Sequence, residues 1–252
     1  MRFAWLGSGS RGNAALVESD GCRVMVDCGF GLREAERRLA RLGVAADTVD
    51  AILVTHEHSD HIGGVAAFAA RHGTRVMATR GTARGFRQGV PARLEYISAH
   101  QPFELGPLAV TPVAVPHDAR EPCQFVFGDG AARLAVVTDL GRVTPHVVQM
   151  LEGCDALALE CNHDEGMLAA GPYPPQLKRR VGGNLGHLSN AQAAGLLQAL
   201  LPARLKHVVA LHLSEANNRP ELAQDALAAV LGCGAGEIAV ADQAEGLGWR
   251  QL

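Results

Sequence analysis

Apolar positions along this chain gather in short runs separated by glycine, charge or turn residues, and the period of the pattern changes from run to run. Residues 2–6, 14–18 and 22–27 each carry a brief β-rich stretch, the first two joined by a glycine-rich loop. Leu32, Ala35, Leu39 and Leu42 then recur at helical spacing with Arg and Glu between them, which predicts an amphipathic helix over 32–42 ended by Gly43. Residues 49–54 form another apolar run, Ile62-Gly63-Gly64-Val65 opens a helix through about Arg71, and 75–78 read as a strand. The pattern over 103–115 is β-like, 125–127 and 133–138 form a hairpin around Gly128-Asp129-Gly130, and 155–159 and 206–211 are further strands. Strands interleaved with helices in this way indicate a layered α/β protein.

The residues that follow these strands carry the chemistry. Ala51-Ile52-Leu53-Val54 leads directly into Thr55-His56-Glu57-His58-Ser59-Asp60-His61, three histidines and two acids in seven residues. Imidazole and carboxylate suit zinc, iron or manganese, and so dense a set exceeds what one tetrahedral ion takes from a short segment; two metals are expected. The 22–27 strand ends on Asp27, placed to hold a ligand histidine or loop amides. Other strands run out into His117, Asp139, Glu160 and His212. A single acid or histidine at a strand end is ordinarily a cap or a core side chain. Six strands ending this way, at the edge where layered α/β folds gather ligands, define a site. The loop Gly7-Ser8-Gly9-Ser10-Arg11-Gly12-Asn13 lets backbone amides approach a ligand such as phosphate, but a strand rather than a helix follows it, so a hairpin connection fits equally well.

At 252 residues, 48% hydrophobic and 19% charged, residues 1–252 are expected to form one domain with a large core. The start is too poor in apolar residues for a signal peptide and no later run reaches membrane-spanning length, so a soluble cytoplasmic protein without membrane contact is expected. Cys22, Cys28, Cys123, Cys154, Cys161 and Cys233 lack paired spacing and read as small buried hydrophobes in a reducing compartment. The formal net charge of -3 gives no global attraction to nucleic acid, although two divalent ions would reverse its sign locally. Arg71, Arg75, Arg80, Arg84, Arg87 and Arg93 read first as a solvated face and second as a phosphate-tracking surface.

The order H-x-H-x-D-H at 56–61, then His117, Asp139 and His212, with Asp27 ahead, resembles the metallo-β-lactamase fold superfamily over essentially the whole chain. That resemblance implies an α/β, four-layer αββα sandwich with metals at one edge between two mixed sheets. By position it implies that His56, His58 and His117 hold one ion, that Asp60, His61 and His212 hold a second, and that Asp139 bridges them around a shared hydroxide, the nucleophile. β-Lactamases of this fold commonly place a cysteine in the second set, where this chain has none. Nucleases of the RNase J kind carry a large insertion after the bridging Asp, for which the interval from Asp139 to His212 is too short. Ribonucleases that trim tRNA 3′ ends are similar at Glu160 and at Gly186-His187-Leu188-Ser189-Asn190-Ala191, but their substrate-gripping arm is not visible here.

The bacterial WalJ/YycJ branch, regarded as DNA exonucleases, is similar at 7–13, 55–63 and 160–164, at Gly171-Pro172-Tyr173-Pro174 with Leu177-Lys178, at 186–190, and at 211–218 followed by Pro220-Glu221-Leu222. It implies a binuclear phosphodiesterase acting on nucleic acid, DNA before RNA, as a 5′ to 3′ exonuclease, monomeric or homodimeric. The alternatives are a glyoxalase II-like thioester or small-ester hydrolase and a tRNA-processing ribonuclease. The pair Glu160/His187 and the asparagine-rich stretch after His212 argue against the thioesterase. His187 is expected to be the general acid for the departing oxygen, oriented and kept protonated by Glu160, with Asp60 counted as both ligand and catalytic group. Asn13, Asn162, His163, Ser214, Asn217 and Asn218 are candidate donors to phosphate or sugar oxygens, and Tyr173 and Lys178 are candidates to meet a base and a phosphate.

Overall fold

The computed structural model describes residues 1–87, 89–201 and 205–252. Its first half contains β1 (Arg2–Gly7), β2 (Ala14–Ser19), β3 (Cys22–Val26), α1 (Leu32–Arg41), β4 (Ala51–Leu53), α2 (Ser59–Ile62), α3 (Val65–His72), β5 (Arg75–Ala78), α4 (Arg80–Ala83) and β6 (Leu94–Tyr96). The second half contains β7 (Phe103–Leu105), β8 (Leu108–Ala114), β9 (Cys123–Gly128), β10 (Arg133–Val137), α5 (Pro145–Leu151), β11 (Ala156–Glu160), α6 (Glu165–Ala170), α7 (Pro175–Val181), α8 (Asn190–Ala199), β12 (His207–Leu211), α9 (Pro220–Leu231), β13 (Ala239–Val240) and β14 (Leu247–Gln251).

The strands form two seven-stranded sheets, ordered β14-β1-β2-β3-β4-β5-β6 and β13-β12-β11-β10-β9-β8-β7. Each is antiparallel on one side and parallel on the other: β3 to β6 run parallel in the first, β10 to β13 in the second. Side-chain alternation explains how they stack. Phe3, Trp5 and Val17 face inward and meet Phe125, Phe127, Leu134 and Val209 in the core between the sheets. The opposite face of the first sheet, with Leu6, Leu16, Met25 and Ile52, packs on Ala35 and Leu39 of α1 and Val65 and Phe68 of α3. The outer face of the second, with Val126, Val137 and Leu159, packs on Val147 and Leu151 of α5, Leu196 and Leu197 of α8 and Leu227 of α9. The result is the expected αββα order, and each fully buried Leu or Phe in it contributes about 1.5–3 kcal/mol of burial free energy.

Two expectations change. The helix expected to open at Ile62 is two pieces, α2 and α3, broken at Gly63-Gly64. A Cβ on Gly64 would fall on the Phe30 carbonyl, so a close backbone crossing takes precedence over helical continuity. The β-like stretch 103–115 is a hairpin, β7 and β8, turned at Gly106 with φ +56°. The glycine-rich loop at 7–13 joins the antiparallel strands β1 and β2, as a hairpin connection does. All six cysteines are free.

Candidate metal centre

β3, β4, β8, β10, β11 and β12 all point their C-terminal ends at one edge, and the candidate residues lie there. Asp27 and His212 follow directly on β3 and β12 and Asp139 lies two residues beyond β10; Asp27, Asp139 and His212 each adopt a left-handed backbone, φ +61°, +48° and +54°. Only one other non-glycine among the described residues does so, Asp20 in a turn. Strained backbone of this kind concentrates where side chains must be aimed rather than merely packed.

Three imidazole nitrogens converge first. His56 Nε2 lies 3.0 Å from His58 Nδ1, and His117 Nε2 lies 3.3 Å from the same atom. Tetrahedral bonds of about 2.0–2.1 Å put ligand nitrogens about 3.4 Å apart, so this spacing is that of ligands around one ion. Burial holds His56 well below the ordinary histidine pKa and lowers His117 too, leaving bare lone pairs facing each other, an arrangement that a cation relieves. A second group meets beside it. Asp60 Oδ2 is 3.5 Å from both His61 Nε2 and His212 Nε2, and His212 Nε2 is buried without any hydrogen-bond partner. That orphaned nitrogen and the mixed nitrogen-oxygen donor set fit a divalent ion. Asp139 stands between the groups, Oδ2 3.0 Å from His61 Nε2 and Oδ1 3.8 Å from His117 Nε2.

The atoms behind these ligands fix their tautomers. Asp27, 1% exposed, accepts from His61 Nδ1 at 2.7 Å and from the Thr55 amide and hydroxyl at 2.8 and 2.7 Å. His117 Nδ1 donates to the Gly186 carbonyl at 3.0 Å. With Nδ1 occupied, Nε2 is left for metal in both rings. Burial disfavours charge on His61, yet Asp139, Asp27 and Asp60 raise its pKa well above the ordinary range. His212 is likewise lifted to about 10 against its burial, chiefly by Asp139. Asp139 itself is held well below the carboxylate range, its burial outweighed by His212 and His61.

The pair behind His187 is Glu160, the last residue of β11 and 0% exposed. Its Oε1 lies 2.7 Å from His187 Nδ1 and 3.1 Å from His212 Nδ1, while Oε2 accepts from the amides of Leu140 and Leu188 at 2.9 and 3.0 Å. Burial works to raise the Glu160 pKa, but His187 and these hydrogen bonds bring it down to about 2. Conversely, His187 is raised despite its burial because Glu160 and Asp139 face it. It lines a cavity of about 340 Å³ together with Asp60, Asp139, His212, Tyr173, Leu177 and Arg180.

The other expected substrate contacts are placed differently. Asn13, Asn162, His163, Ser214, Asn217 and Asn218 are buried. Asn13 bonds Asp60 Oδ2 at 3.3 Å and the Gly9 amide at 2.9 Å. Asn162 donates to the His212 carbonyl at 3.0 Å, and Asn218 to the Cys161 carbonyl at 2.7 Å and to Asn190 at 2.9 Å. Ser214 Oγ accepts from the Asn217 amide at 3.2 Å. Strand ends leave carbonyls and amides without partners, and Asn13, Asn162, Ser214 and Asn218 supply them; none of the six lines the cavity beside His187. Lys178 donates to the Ala169 carbonyl at 2.6 Å, away from the cavity, whereas Arg180 lines it and donates to Asp118 at 2.6 Å. Sequence reasoning missed Arg180, Asp118 and Thr55. Asp118 lies 3.6 and 3.4 Å from His58 and His117 Nε2, and its adjacency to His117 was the available signal.

A family described as Beta-lactamase superfamily domain matches residues 22–212, and the chain belongs to that superfamily. Within it the chain is similar to Exodeoxyribonuclease YycJ of Bacillus anthracis, 34% identical over 244 residues covering 94% of this chain and 92% of the relative. It is also similar to Exodeoxyribonuclease WalJ of Streptococcus pneumoniae, 32% identical over 229 residues covering 88% and 85%. Among solved structures, the metallo-beta-lactamase fold protein YhfI from Bacillus subtilis has a similar fold, with TM-score 0.77, 17% identity and 99% of each chain covered. The fold and the WalJ/YycJ branch inferred from the sequence are thereby borne out. Among the described residues, no helix is long and apolar enough to cross a membrane.

Proposed function

We propose that this protein is a metal-dependent phosphodiesterase with two divalent ions, zinc, manganese or iron, that removes nucleotides from DNA ends, and that residues 1–252 act as one cytoplasmic domain. The observation that carries the reading is the His187–Glu160 pair at 2.7 Å, opening into the same cavity as both ligand groups. His56, His58 and His117 would hold one ion and Asp60, His61 and His212 the other, with Asp139 within reach of both groups. When bound, the ions supply neutralisation of the phosphodiester charge and an acidified water.

The chain's own residues supply the rest. A phosphodiester with an alkoxide leaving group requires a proton at the departing oxygen, a need that an activated thioester does not have. Glu160 holds His187 by Nδ1, keeps it protonated, and leaves Nε2 to deliver that proton. Tyr173 at the cavity wall stacks a base and Arg180 meets a phosphate beside the cut bond. The relatives named exodeoxyribonucleases support DNA as substrate and removal from an end; the 5′ to 3′ direction is the one that the resemblance in sequence implies. End-labelled single- and double-stranded DNA and RNA, digested by metal-loaded protein of measured metal content, test the reading. Release of mononucleotides from 5′-phosphorylated DNA supports it, whereas turnover of an acyl-glutathione thioester with inert nucleic acid overturns it.

A further inference from the structure

The six arginines between 71 and 93 do not act alike. Arg75 pairs with Glu95 at 2.8 Å, Arg93 donates to the Gly73 carbonyl at 2.8 Å, and Arg80 lies over the Tyr96 ring at 4.5 Å. Among the described residues, Arg84 and Arg87 have no carboxylate partner, and both are exposed. With Phe86, Arg120, Glu57 and His58 they line a groove of about 410 Å³. That groove shares His58 and Ser59 with the metal cavity, so the two lie side by side at the metal loop.

We propose that this groove carries the single-stranded segment of nucleic acid next to the cut bond, with Arg84, Arg87 and Arg120 on its phosphates and Phe86 under one base. The proposal rests on the nuclease reading and deepens it. The turn bearing these arginines is fixed to the metal loop. A Cβ on Gly85 would collide with the Glu57 side chain, so the turn rides directly on the residue between His56 and His58. Glu121 Oε2 accepts from the Gly81 amide at 2.7 Å and Thr79 Oγ1 donates to the Glu121 carbonyl at 2.9 Å, stitching α4 to the segment that carries His117. Glu57 Oε1 accepts from the Arg120 amide at 2.9 Å and lies 3.6 Å from its Nε, so the third arginine, unlike Arg84 and Arg87, has a carboxylate beside it and is fixed to the same loop. Phe86 is half-buried, packed against the core cluster that includes Val65 and Phe68 of α3, and is one of the residues lining the groove. In a chain of net charge -3, a cationic lane with an aromatic floor at the rim of the ligand cluster is a local feature, and stacking plus cations is how unpaired strands are held. The substrate therefore extends past the cut bond on the His58 side, and duplex ends must fray to enter.

The test is binding of a fluorescent single-stranded DNA oligonucleotide with phosphorothioate linkages to zinc-loaded protein over a salt series, beside digestion of the normal oligonucleotide. R84A/R87A is expected to weaken binding on the order of 10-fold and to flatten the slope of log affinity against log salt by about 1.4, roughly 0.7 per lost phosphate contact. The kinetic loss falls on KM rather than kcat. Phe86→Leu, which keeps the core contact and removes the ring, weakens binding about 5- to 100-fold with little change in the salt slope. Metal content of each variant checks that it has folded. Wild-type protein that cuts the oligonucleotide while R84A/R87A keeps its affinity and its slope overturns the groove and leaves the nuclease reading standing. Wild-type protein that neither binds nor cuts any oligonucleotide overturns both.

Discussion

Replacing Asp27 with asparagine exchanges one buried oxygen for an amide nitrogen at nearly constant volume, and the hydrogen bonds around it set the consequence. The carboxylate accepts on two sides at once, from His61 Nδ1 and the Thr55 hydroxyl on Oδ2 and from the Thr55 amide on Oδ1. An amide has one acceptor. If its NH₂ faces His61, the ring must accept at Nδ1 and carry its proton on Nε2, the atom 3.0 Å from Asp139 that an ion requires bare. If the NH₂ faces Thr55 instead, two donors meet and a buried amide loses its partner, a cost of about 1–3 kcal/mol. The first orientation removes one of three ligands from the second group; removal of such an orienting partner weakens metal binding by about 10- to 100-fold. Competition of the Asp27→Asn variant against a chromophoric zinc chelator, with thermal unfolding of the metal-free and zinc-saturated forms alongside, reads both effects. Wild-type zinc affinity together with wild-type stability would refute the tautomer argument, since neither orientation leaves both intact.

Four further outcomes are expected from the same geometry. His187→Ala is expected to lower hydrolysis of DNA by about 10²–10⁴-fold while metal content stays at the wild-type level, and a nitrophenyl phosphodiester, whose leaving group needs no proton, should recover much of the loss; equal losses on both substrates would remove the general-acid role. As an acid, His187 works below its pKa and fails as pH rises through it; Glu160 raises that pKa, so Glu160→Gln should move the alkaline limb of the rate profile to lower pH, and an unmoved limb counts against the pair. His212 carries a pKa raised to about 10 without metal, so it is protonated at neutral pH and must release a proton to bind zinc, and the carboxylates around His61 raise that ring in the same direction; calorimetry in buffers of different ionisation enthalpy should show proton release and an affinity that climbs with pH, and a pH-independent affinity would contradict this. In Gly29→Ala a Cβ would fall on the Asp60 carbonyl, so a loss of about 1–3 kcal/mol, occasionally more, together with weakened metal binding is expected from thermal melts and metal titration; wild-type melting would show that the loop yields.

The clustering of the candidate ligands was legible in the sequence because nothing competes with their signal. Val24 to Val26, Ile52 to Val54 and Ala156 to Leu159 are apolar runs of strand length, and the acids and histidines that end them are side chains a core buries only beside a specific partner. What the sequence could not convey was direction. Lys178 and Arg180 are two residues apart on α7, so they cannot share a face; Leu177, Arg180 and Val181, at helical spacing, line the cavity, and Lys178 turns to Ala169 instead. Asparagine donates equally well to a phosphate or to a backbone carbonyl, and Asn13, Asn162 and Asn218 lie where strand ends leave backbone groups to be satisfied, so scaffold takes them. The run of arginines likewise has one composition and several fates, divided by which neighbours the fold supplies.

The glycine-rich loop also serves the scaffold, and through it the fold is tied to the chemistry. Gly9 and Gly12 adopt φ +147° and +151°, which lets the β1–β2 connection curl until Asn13 reaches Asp60, and Gly29 admits the Asp60 backbone against the end of β3. Asp27, Asp139 and His212 meanwhile hold left-handed conformations that cost about 1–3 kcal/mol each, offset by the sheets that pin the preceding residues and by buried hydrogen bonds such as that from the His212 amide to Ser8 Oγ at 2.9 Å. Strain at those positions is retained because relaxing Asp139 or His212 rotates a candidate ligand atom away from its group, and relaxing Asp27 releases the His61 ring that it orients. The sheets, and not the ions, pin the residues before these positions, so metal removal should leave the sheets intact and loosen chiefly the segments that face the ions.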